Sequence, residues 1–383
     1  MKKLVLRGIL IAFMFTSILL LFNFSFSSAT KINAKDIELE VGLNRLVRIE
    51  GIKSTKKIKW TSGNKKIAAV SKTGRVTGKN KGNTKVTAKL NGKKYTCNVK
   101  VIPKLTDLQR VKKLLKEQKK YTKRITPYNK HCFTWNKDKT KLLRINANGF
   151  PTGIEGNNDG IKFYVKSKYL DLSGFKYLRR VNLSPCEIDE INLNSLKHLW
   201  ELTVDNGDVK YIDFYKVKSI VSIILDTGEL ENIPSSILKT LETAYFCNGV
   251  TKNINYSMLR SIEYLSVEGF PLKRLSLPNS SSLTTLNINS ANNIKELNVS
   301  KLKNLRELYC VHNRKLAKLN LGSLMYLSEL NCSYNKLTEL NVRGLKNLER
   351  LDCRKNQIAE LDLRGFAILP KVYCDPGVNI ITD

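Results

Sequence analysis

Four cysteines near the C-terminal end of the sequence recur at nearly constant spacing, and they are its first candidates for chemistry. Cys310, Cys332, Cys353 and Cys374 are 22, 21 and 21 residues apart. A thiol can form a disulfide, coordinate a metal, act as a nucleophile or simply fill apolar space. Which of these applies depends on the elements that hold the four side chains.

A repeat of 21 or 22 residues carries these cysteines. It has the form LxxLxCxxNxLxxLxLxxLxx, and its clearest copies start at Leu305, Leu327 and Leu348. Less regular copies start at Leu178, Leu199, Ile220, Leu241, Ile262, Leu283 and Leu369. One unit is too short to bury its own leucines, so neighbouring units must stack. The period predicts a solenoid of about ten units over residues 157–383, with the LxC segments forming a parallel β-sheet on one face.

Stacking decides the chemistry of the cysteines. Neighbouring strands lie about 4.8 Å apart, whereas the Cβ atoms of a disulfide are about 3.8 Å apart and face each other. Four thiols in a line also cannot surround a metal ion tetrahedrally, and burial raises the pKa of a thiol. We therefore expect Cys332 and its counterparts to stay reduced and to act as compact apolar side chains. The asparagines that follow, Asn313, Asn335 and Asn356, are expected to satisfy backbone groups in the turns.

No catalytic centre can be assembled from the other reactive residues. The three histidines, His131, His198 and His312, have no hydrolase motif around them, and the sequence has no glycine-rich phosphate loop and no Cys-x-x-Cys pair. His131 and Cys132 have no further ligands nearby, so core packing is the better interpretation of this pair. These observations predict a protein that is not an enzyme and has no cofactor and no metal site.

Short alternating runs over residues 36–102 predict a separate, small β-sandwich. Turn formers divide the runs, and Asn91-Gly92 is the strongest hairpin signal. After Pro103, apolar residues at helical spacing predict one amphipathic helix of about five turns, with Thr106 or Asp107 as its cap. This helix, within a basic bridge at residues 103–156, is expected to cover the open end of the solenoid. The alternative is a helix that lies on a membrane surface.

The N-terminal 29 residues predict export. A basic start is followed by an uncharged apolar run from Gly8 to Phe26, and Ser27-Ser28-Ala29 has the small residues that a signal peptidase needs. Residues 1–29 are therefore interpreted as a signal peptide, which makes the rest of the chain extracellular, either secreted or associated with the cell surface. The alternative is an uncleaved anchor, because the run is long enough to span a bilayer.

The net charge of +33 is concentrated in one part of the chain. Residues 30–145 contain 33 Lys and Arg against 7 Asp and Glu, whereas residues 146–383 contain 30 against 26. An exported protein rarely meets nucleic acid, so the predicted partner of the basic part is an anionic cell-wall polymer. Contact with a membrane is expected only if the leader is not cleaved. A solvated, lysine-rich surface without a partner is the alternative.

The basic sandwich resembles a known family. The residues that carry the resemblance are Trp60-Thr61-Ser62, Ala69-Val70-Ser71 and Gly74-Arg75-Val76-Thr77-Gly78, and they are similar to the group 2 bacterial immunoglobulin-like domain. The resemblance covers nearly all of residues 36–102. It implies an immunoglobulin-like sandwich that serves as a spacer or adhesive domain of a surface protein.

The cysteine-containing repeats resemble the internalin-like leucine-rich repeats of bacterial surface proteins. That resemblance implies binding of proteins or glycans through the strand face. The chain departs from the family in having no LPxTG-type sorting signal. The expected fold class is therefore multidomain, a small all-β immunoglobulin-like sandwich followed by a leucine-rich-repeat solenoid with a parallel β-sheet on one face.

Alternation along a strand predicts which side chains face a ligand, because the neighbours of the inward Leu and Cys must point outward. The predicted ligand-binding residues are Trp200, Tyr245, Tyr264, Tyr309, His312, Tyr334, Arg350, Asp352 and Tyr373. Exposed Tyr and Trp supply contact area at a small entropic cost, whereas aromatic pairs that only stabilise the sheet are the alternative. The predicted function is adhesin-like binding of a protein or glycan. The alternative is a wall-associated scaffold or spacer with no external ligand.

Overall fold

The computed structural model describes most of the chain after residue 29. The described ranges are 30–52, 57–120, 125–147, 165–184, 186–207, 209–227, 230, 233–247, 254–269, 272, 275–278 and 280–383. The predicted signal peptide lies outside these ranges, so its cleavage stays a prediction. The chain divides into two compact units, Met1–Pro103 and Lys104–Asp383. Within the described ranges, no helix combines the length and the apolar character needed to cross a membrane.

The N-terminal unit is a β-sandwich. Its strands, within the described ranges, are β1 (Lys31–Ile32), β2 (Asp36–Glu40), β3 (Asn44–Leu46), β4 (Ile49–Glu50), β5 (Lys59–Ser62), β6 (Ala68–Val70), β7 (Arg75–Gly78), β8 (Gly82–Leu90) and β9 (Lys93–Ile102). One sheet has the order β2-β9-β8-β5, the other has the order β3-β7-β6, and β1 pairs with β4. The pairs are antiparallel except for β2 and β9, which are parallel because the intervening strands form the crossover between them.

Alternation along the strands builds the core of this sandwich. On β9, Cys97, Val99 and Val101 are buried, while the residues between them are exposed. They join Leu39 and Val86 in one buried cluster between the sheets. Cys97 is a free thiol, and burial raises its pKa to about 11. This cysteine therefore serves as an apolar side chain of the core.

Gly74 occupies a position of the sandwich that no other residue fits. Its φ of +88° is in the left-handed region. A Cβ atom there would lie 2.3 Å from the carbonyl oxygen of Val47 and 2.8 Å from the ring of Trp60. The glycine of the Gly-Arg-Val-Thr-Gly segment is thus required by the close approach of two neighbouring elements.

Helix α1 (Asp107–Glu117) begins the C-terminal unit. Thr106 caps it, as predicted: its hydroxyl accepts the N–H of Gln109, whose side chain in turn accepts the N–H of Thr106. The helix has 11 residues and ends at Gln118, so the prediction of five turns was too long. Gln118 has another role, since its Oε1 accepts the N–H of Lys166 at 2.8 Å.

One face of α1 packs on the first coils of the solenoid. Val111 and Leu114 are buried in the same cluster as the solenoid leucines. Asp107 accepts the N–H of Leu142 at 2.9 Å and also pairs with Arg110 at 2.9 Å. This largely buried ion pair and hydrogen bond fix the start of the helix against the first strands of the unit.

A hairpin precedes the leucine-rich units in the main sheet. It consists of β10 (Phe133–Trp135) and β11 (Leu142–Asn146), and β11 then pairs in parallel with the first repeat strand. The sheet therefore starts before residue 157, within the segment that the sequence assigned to a bridge, because the hairpin lacks the leucine spacing of the repeats. Cys132 and Phe133 are 0% and 2% exposed, which confirms the predicted core packing of Cys132. The same prediction was wrong for His131, which is exposed because it precedes the strand.

The main sheet stacks one strand from each unit. Within the described ranges it continues with β13 (Arg180–Leu183), β15 (Glu201–Gly207), β17 (Ser222–Thr227), β18 (Thr243–Cys247), β19 (Tyr264–Glu268), β20 (Thr285–Asn289), β22 (Glu307–Tyr309), β24 (Glu329–Asn331), β25 (Arg350–Asp352) and β27 (Lys371–Tyr373). Each pairs in parallel with the next, and Leu308, Leu330 and Leu351 lie in register. This pairing at the period of the sequence repeat confirms the leucine-rich-repeat solenoid.

Further strands lie elsewhere on the coils. They are β12 (Val165–Asp171), β14 (Cys186–Asn192) and β16 (Tyr211–Asp213), then β21 (Glu296–Asn298) with β23 (Lys318–Asn320), and β26 (Glu360–Asp362) with β28 (Asn379–Ile381). Helix α2 (Ser235–Leu238) and a 3₁₀ turn (Tyr256–Met258) complete the regular elements in the described ranges. A single buried cluster runs from Val111 to Leu363, so the stacked units share one core.

An asparagine ladder closes the turn after each of the clearest repeat strands. Asn335 donates through Nδ2 to the carbonyl oxygens of Cys310 and Cys332, both at 2.7 Å, and its Oδ1 accepts the N–H of Asn313 at 2.9 Å. Asn313 and Asn356 bond backbone groups in the same way, one unit before and one unit after. The predicted role of these asparagines is confirmed.

The cysteine column lies beside this ladder. Cys310, Cys332 and Cys353 are at most 2% exposed, whereas Cys374, after β27, is half-buried. All eight cysteines of the chain are free thiols. Burial raises the pKa of Cys310 and of Cys353 to about 12, so both thiols are protonated at neutral pH.

Alkylation should label the accessible thiol of this column before the three buried thiols. We expect iodoacetamide at neutral pH to label Cys374 in the folded protein and Cys310, Cys332 and Cys353 only after unfolding, because a buried, protonated thiol is a poor nucleophile. Mass spectrometry of peptides labelled before and after denaturation measures this order. A peptide that links two neighbouring cysteines would contradict it.

Candidate ligand-binding face

The outward side of the main sheet, called here the strand face, presents three columns of side chains. In β24 and the residues that follow it, Leu330 and Cys332 are buried in the core, and Glu329, Asn331 and Ser333 lie on the outward side. These are the first, third and fifth positions of the segment. Ser333 is nevertheless 3% exposed, and its hydroxyl donates to Asn331 Oδ1 at 2.7 Å. Because the strands are parallel and in register, the same three positions line up across the whole sheet.

Four predicted residues share the third position. Tyr245, Tyr309, Asp352 and Tyr373 lie there on β18, β22, β25 and β27, and all four are half-buried. Rows of amide and hydroxyl side chains separate Tyr245 from Tyr309. The structure thus brings these four residues onto one face, but Tyr245 and Tyr309 are three strands apart.

Two other predicted residues lie at the first position and one lies just before it. Tyr264 and Arg350 are at the first position of β19 and β25. Tyr264 accepts a hydrogen bond from Asn287 at 2.8 Å, which ties its ring to the next strand. Trp200 precedes β15, and its ring lies 4.3 Å from the guanidinium of Arg180, a cation–π contact.

His312 and Tyr334 lie in the turn after the strand, where the alternation rule no longer holds. Their φ values are +58° and +59°, in the left-handed region, so the backbone direction changes there. The two rings stack with centroids 4.3 Å apart. Tyr334 is 48% exposed, and the pair borders a shallow hollow whose other members include Lys336 and Lys355. These two residues form an aromatic rim at the edge of the strand face.

The middle of the strand face is acidic. From β15 to β24, the outward positions in the described ranges carry no lysine or arginine, and the acids there are Glu201, Asp205, Asp226, Glu268, Glu307 and Glu329. Asp205 accepts a hydrogen bond from Ser184 at 2.8 Å, and Glu268 accepts one from Asn289 at 3.3 Å. Burial, and then the charges of Glu307 and Glu329, raise the pKa of Tyr309 to about 12.

The C-terminal end of the strand face has the opposite character. Arg354 binds Asp352 through two hydrogen bonds of 2.6 and 3.0 Å, and its guanidinium lies 5.2 Å from the ring centroid of Tyr373. The hydrogen bonds from Arg354 lower the pKa of the Asp352 carboxyl. The ammonium group of Lys371 also lies 5.2 Å from the ring centroid of Tyr373. Positive charge therefore borders the acidic middle of the face.

Two residues of this face were not predicted from the sequence. Asn287 lies between Tyr245 and Tyr309 in the row of third positions. Its Oδ1 is buried without a hydrogen-bond partner in the described structure. Cys247 points outward because Phe246 takes the inward position of its unit, and burial raises its pKa to about 12. Counting positions from Leu241 reveals the shift of Cys247, whereas the repeat pattern alone groups it with the core cysteines.

The arrangement suits recognition through contact area and hydrogen bonds. Half-buried tyrosines, amides and carboxylates form a continuous rigid surface, because each is anchored on a paired strand. Within the described ranges, no group of three or more His, Cys, Asp or Glu side chains is placed to hold a metal ion.

The N-terminal unit is similar to a known domain family. Residues 33–99 match the family model for the bacterial Ig-like domain (group 2). The match includes the Trp-Thr-Ser segment, the required Gly74, strand β8 and most of strand β9, and it confirms the resemblance seen in the sequence. A bacterial Ig-like domain therefore lies within the basic part of the chain, before the solenoid.

Two solved structures are distantly similar to this chain. The crystal structure of a TLR13–ssRNA13 complex is 18% identical with a TM-score of 0.36, and the match covers 57% of this chain and 35% of that one. The functional domain of InlJ from Listeria monocytogenes, which includes a cysteine ladder, is 17% identical with a TM-score of 0.35, covering 56% of this chain and 54% of that one. This chain thus spans about half or less of either structure. No curated protein matches the sequence significantly.

Proposed function

We propose that this chain is an exported bacterial surface or secreted protein that binds a protein or glycan, in the manner of an adhesin, through the strand face of its solenoid. The bacterial Ig-like domain would associate with anionic wall polymer. The protein would act by binding and not by catalysis. Bacterial Ig-like domains are typical of surface proteins, which supports the location.

The observation that carries this proposal is the composition of the strand face. Tyr245, Tyr264 and Tyr309 stand on a rigid sheet among amides and carboxylates, and this combination of aromatic area and hydrogen-bonding groups is characteristic of binding surfaces. The acidic middle favours a ligand with basic groups or a neutral glycan over an acidic one.

A wall-associated scaffold without an external ligand is the second candidate. The hydrogen bond between Tyr264 and Asn287 favours it, because the tyrosine hydroxyl is already used within the sheet. In that case, the aromatic residues would stabilise the solenoid, and the basic domain alone would make the external contact.

Substitution of two tyrosines distinguishes these candidates. The full chain is immobilised, exposed to extracts of host and neighbouring cells and to a glycan array, and compared with the double variant Tyr309→Ser/Tyr334→Ser. We expect the double variant to lose about tenfold or more in affinity for the captured ligand, with an unchanged melting temperature.

The matched control is Tyr215→Ser/Tyr326→Ser, which removes two tyrosines that are 44% and 51% exposed and lie off the strand face. It should keep full binding. A marked drop in the melting temperature of the strand-face variant, with no ligand captured by the wild type, would favour the scaffold instead.

A further inference from the structure

Three lysines stand side by side on the outer face of the bacterial Ig-like domain. Lys59 on β5 is in register with Lys89 on β8, and Lys89 is in register with Lys94 on β9. All three are exposed. Adjacent strands are about 4.8 Å apart, so the three ammonium groups form a row across the sheet. We call these residues the lysine row.

The lysine row lacks neutralising partners. In the described structure, none of the three lysines forms an ion pair. Residues 30–102 contain 19 Lys and Arg but only four acids. Three of these acids are on β2, at the opposite edge of the sheet from β5. Asp36 accepts a hydrogen bond from Asn98 at 2.7 Å, Glu38 pairs with Lys100 at 2.8 Å, and Glu40 is buried. The acids of this sheet are therefore engaged away from the row.

Such a row is unfavourable for the fold itself. Like charges directly opposite each other destabilise an antiparallel pair, and here the repulsion occurs twice in three neighbouring strands. The side chains are on the outer surface, so core packing does not require lysine at any of these positions. A bound anion would remove the repulsion, because it would contact all three ammonium groups at once.

A row of threonines runs parallel to the lysines. Thr61, Thr87 and Thr96 occupy the next outward position on the same three strands and are in register with one another. Thr61 and Thr96 are exposed and Thr87 is half-buried. The Thr61 hydroxyl donates to the carbonyl oxygen of Thr87 at 3.4 Å. The sheet therefore offers ammonium groups in one line and hydroxyl groups in the line beside it.

We infer that the lysine row and the threonine row bind a linear phosphodiester polymer of the cell wall. This inference rests on the proposed association of the basic domain with anionic polymer and names its surface and its chemistry. Lysine binds phosphate as a compact point charge with three donor hydrogens, and the row presents three such charges at the spacing of adjacent strands. A polymer with regularly repeated phosphates can contact several ammonium groups along the line.

The test uses the full chain and deacylated poly(glycerol phosphate) as the probe. Binding is measured by calorimetry for the wild type, for Lys59→Gln/Lys89→Gln/Lys94→Gln and for the control Lys65→Gln/Lys72→Gln/Lys79→Gln. The control removes the same charge from exposed loop positions of the same domain. We expect about a 100-fold loss of affinity in the row variant, on the basis of about fivefold per lysine near an anionic surface. The control should lose no more than about threefold.

Two further readouts accompany the affinity. Affinity falls as the salt concentration rises, and the magnitude of the slope of log affinity against log salt concentration should be smaller by about 2 in the row variant, because fewer counterions are released. Its melting temperature should stay the same or rise, since repulsion between neighbours has been removed. A variant that binds weakly because it is misfolded would instead melt at a lower temperature. In that case, the variant Lys59→Arg/Lys89→Arg/Lys94→Arg keeps the positive charge at the three positions, and it should retain binding if the charges are responsible.

The other outcomes separate this inference from the proposed function. Equal losses in the row variant and the control would mean that overall charge acts without a defined surface, which overturns the inference and leaves the basic domain a polymer binder. A wild-type chain that ignores the polymer even at low salt would overturn both. Preference for phosphatidylglycerol vesicles over the polymer would overturn the wall polymer as the ligand.

Discussion

Leu327→Ala is expected to lower the free energy of unfolding of the solenoid by about 2 to 5 kcal/mol. Leu327 is 0% exposed, and the parallel stacking leaves no room for its neighbours to close the cavity, because each strand is held in register by the strands on both sides. Urea unfolding followed by circular dichroism measures the change.

Leu369 provides the matched control for this prediction. It occupies the same repeat position two units later but is 53% exposed. Leu369→Ala should therefore cost less than about 1 kcal/mol, because little buried area is lost. Equal effects of the two substitutions would contradict the register of the stacked units.

Asn335→Ala is expected to destabilise the solenoid by about 3 to 5 kcal/mol. The substitution leaves the carbonyl oxygen of Cys310 and the N–H of Asn313 without their partner, whereas the carbonyl oxygen of Cys332 loses one of two bonds and keeps the one from Asn356. Each buried unpaired group costs about 1 to 3 kcal/mol. The effect should be comparable to that of a core leucine, although the side chain is polar and short. The same urea titration measures it.

Two variants show whether the amide itself is responsible. Asn347→Ala removes an exposed asparagine with one bond, to the carbonyl oxygen of Met325, and should cost less than about 1 kcal/mol. Asn335→Asp keeps the shape but exchanges two donor hydrogens for acceptors, so it should destabilise at least as much as alanine. Native stability of Asn335→Asp would show that the ladder does not depend on donation from Asn335.

The repeat explains why the solenoid was predictable. Leucines and cysteines at a period of 21 or 22 residues can be buried only if units stack, and stacking places equal positions beside one another. The inward roles of Cys310, Cys332 and Cys353 and the turn role of Asn335 follow from that argument. Features outside the repeat were harder: the hairpin of β10 and β11 has no leucine spacing, so its place in the main sheet was not apparent.

The binding face was predictable only within the strands. Alternation identified the outward side of Tyr245, Tyr264 and Tyr309, but it could not place His312 and Tyr334, because these two residues themselves adopt the left-handed conformation that ends the alternation. It also could not reveal the acidic middle of the face. That property arises when acids from strands about 20 residues apart in the sequence come into adjacent positions.

The amino-acid sequence by itself determined the two kinds of domain, the period of the solenoid and the inward column of thiols, because each depends on local pattern and burial. Only the tertiary structure decided which outward residues are neighbours. Lys59, Lys89 and Lys94 become one row through the pairing of β5, β8 and β9. Strand register is set by packing between segments that are distant in the sequence. A charge pattern that runs across strands therefore cannot be recognised from the order of residues along the chain.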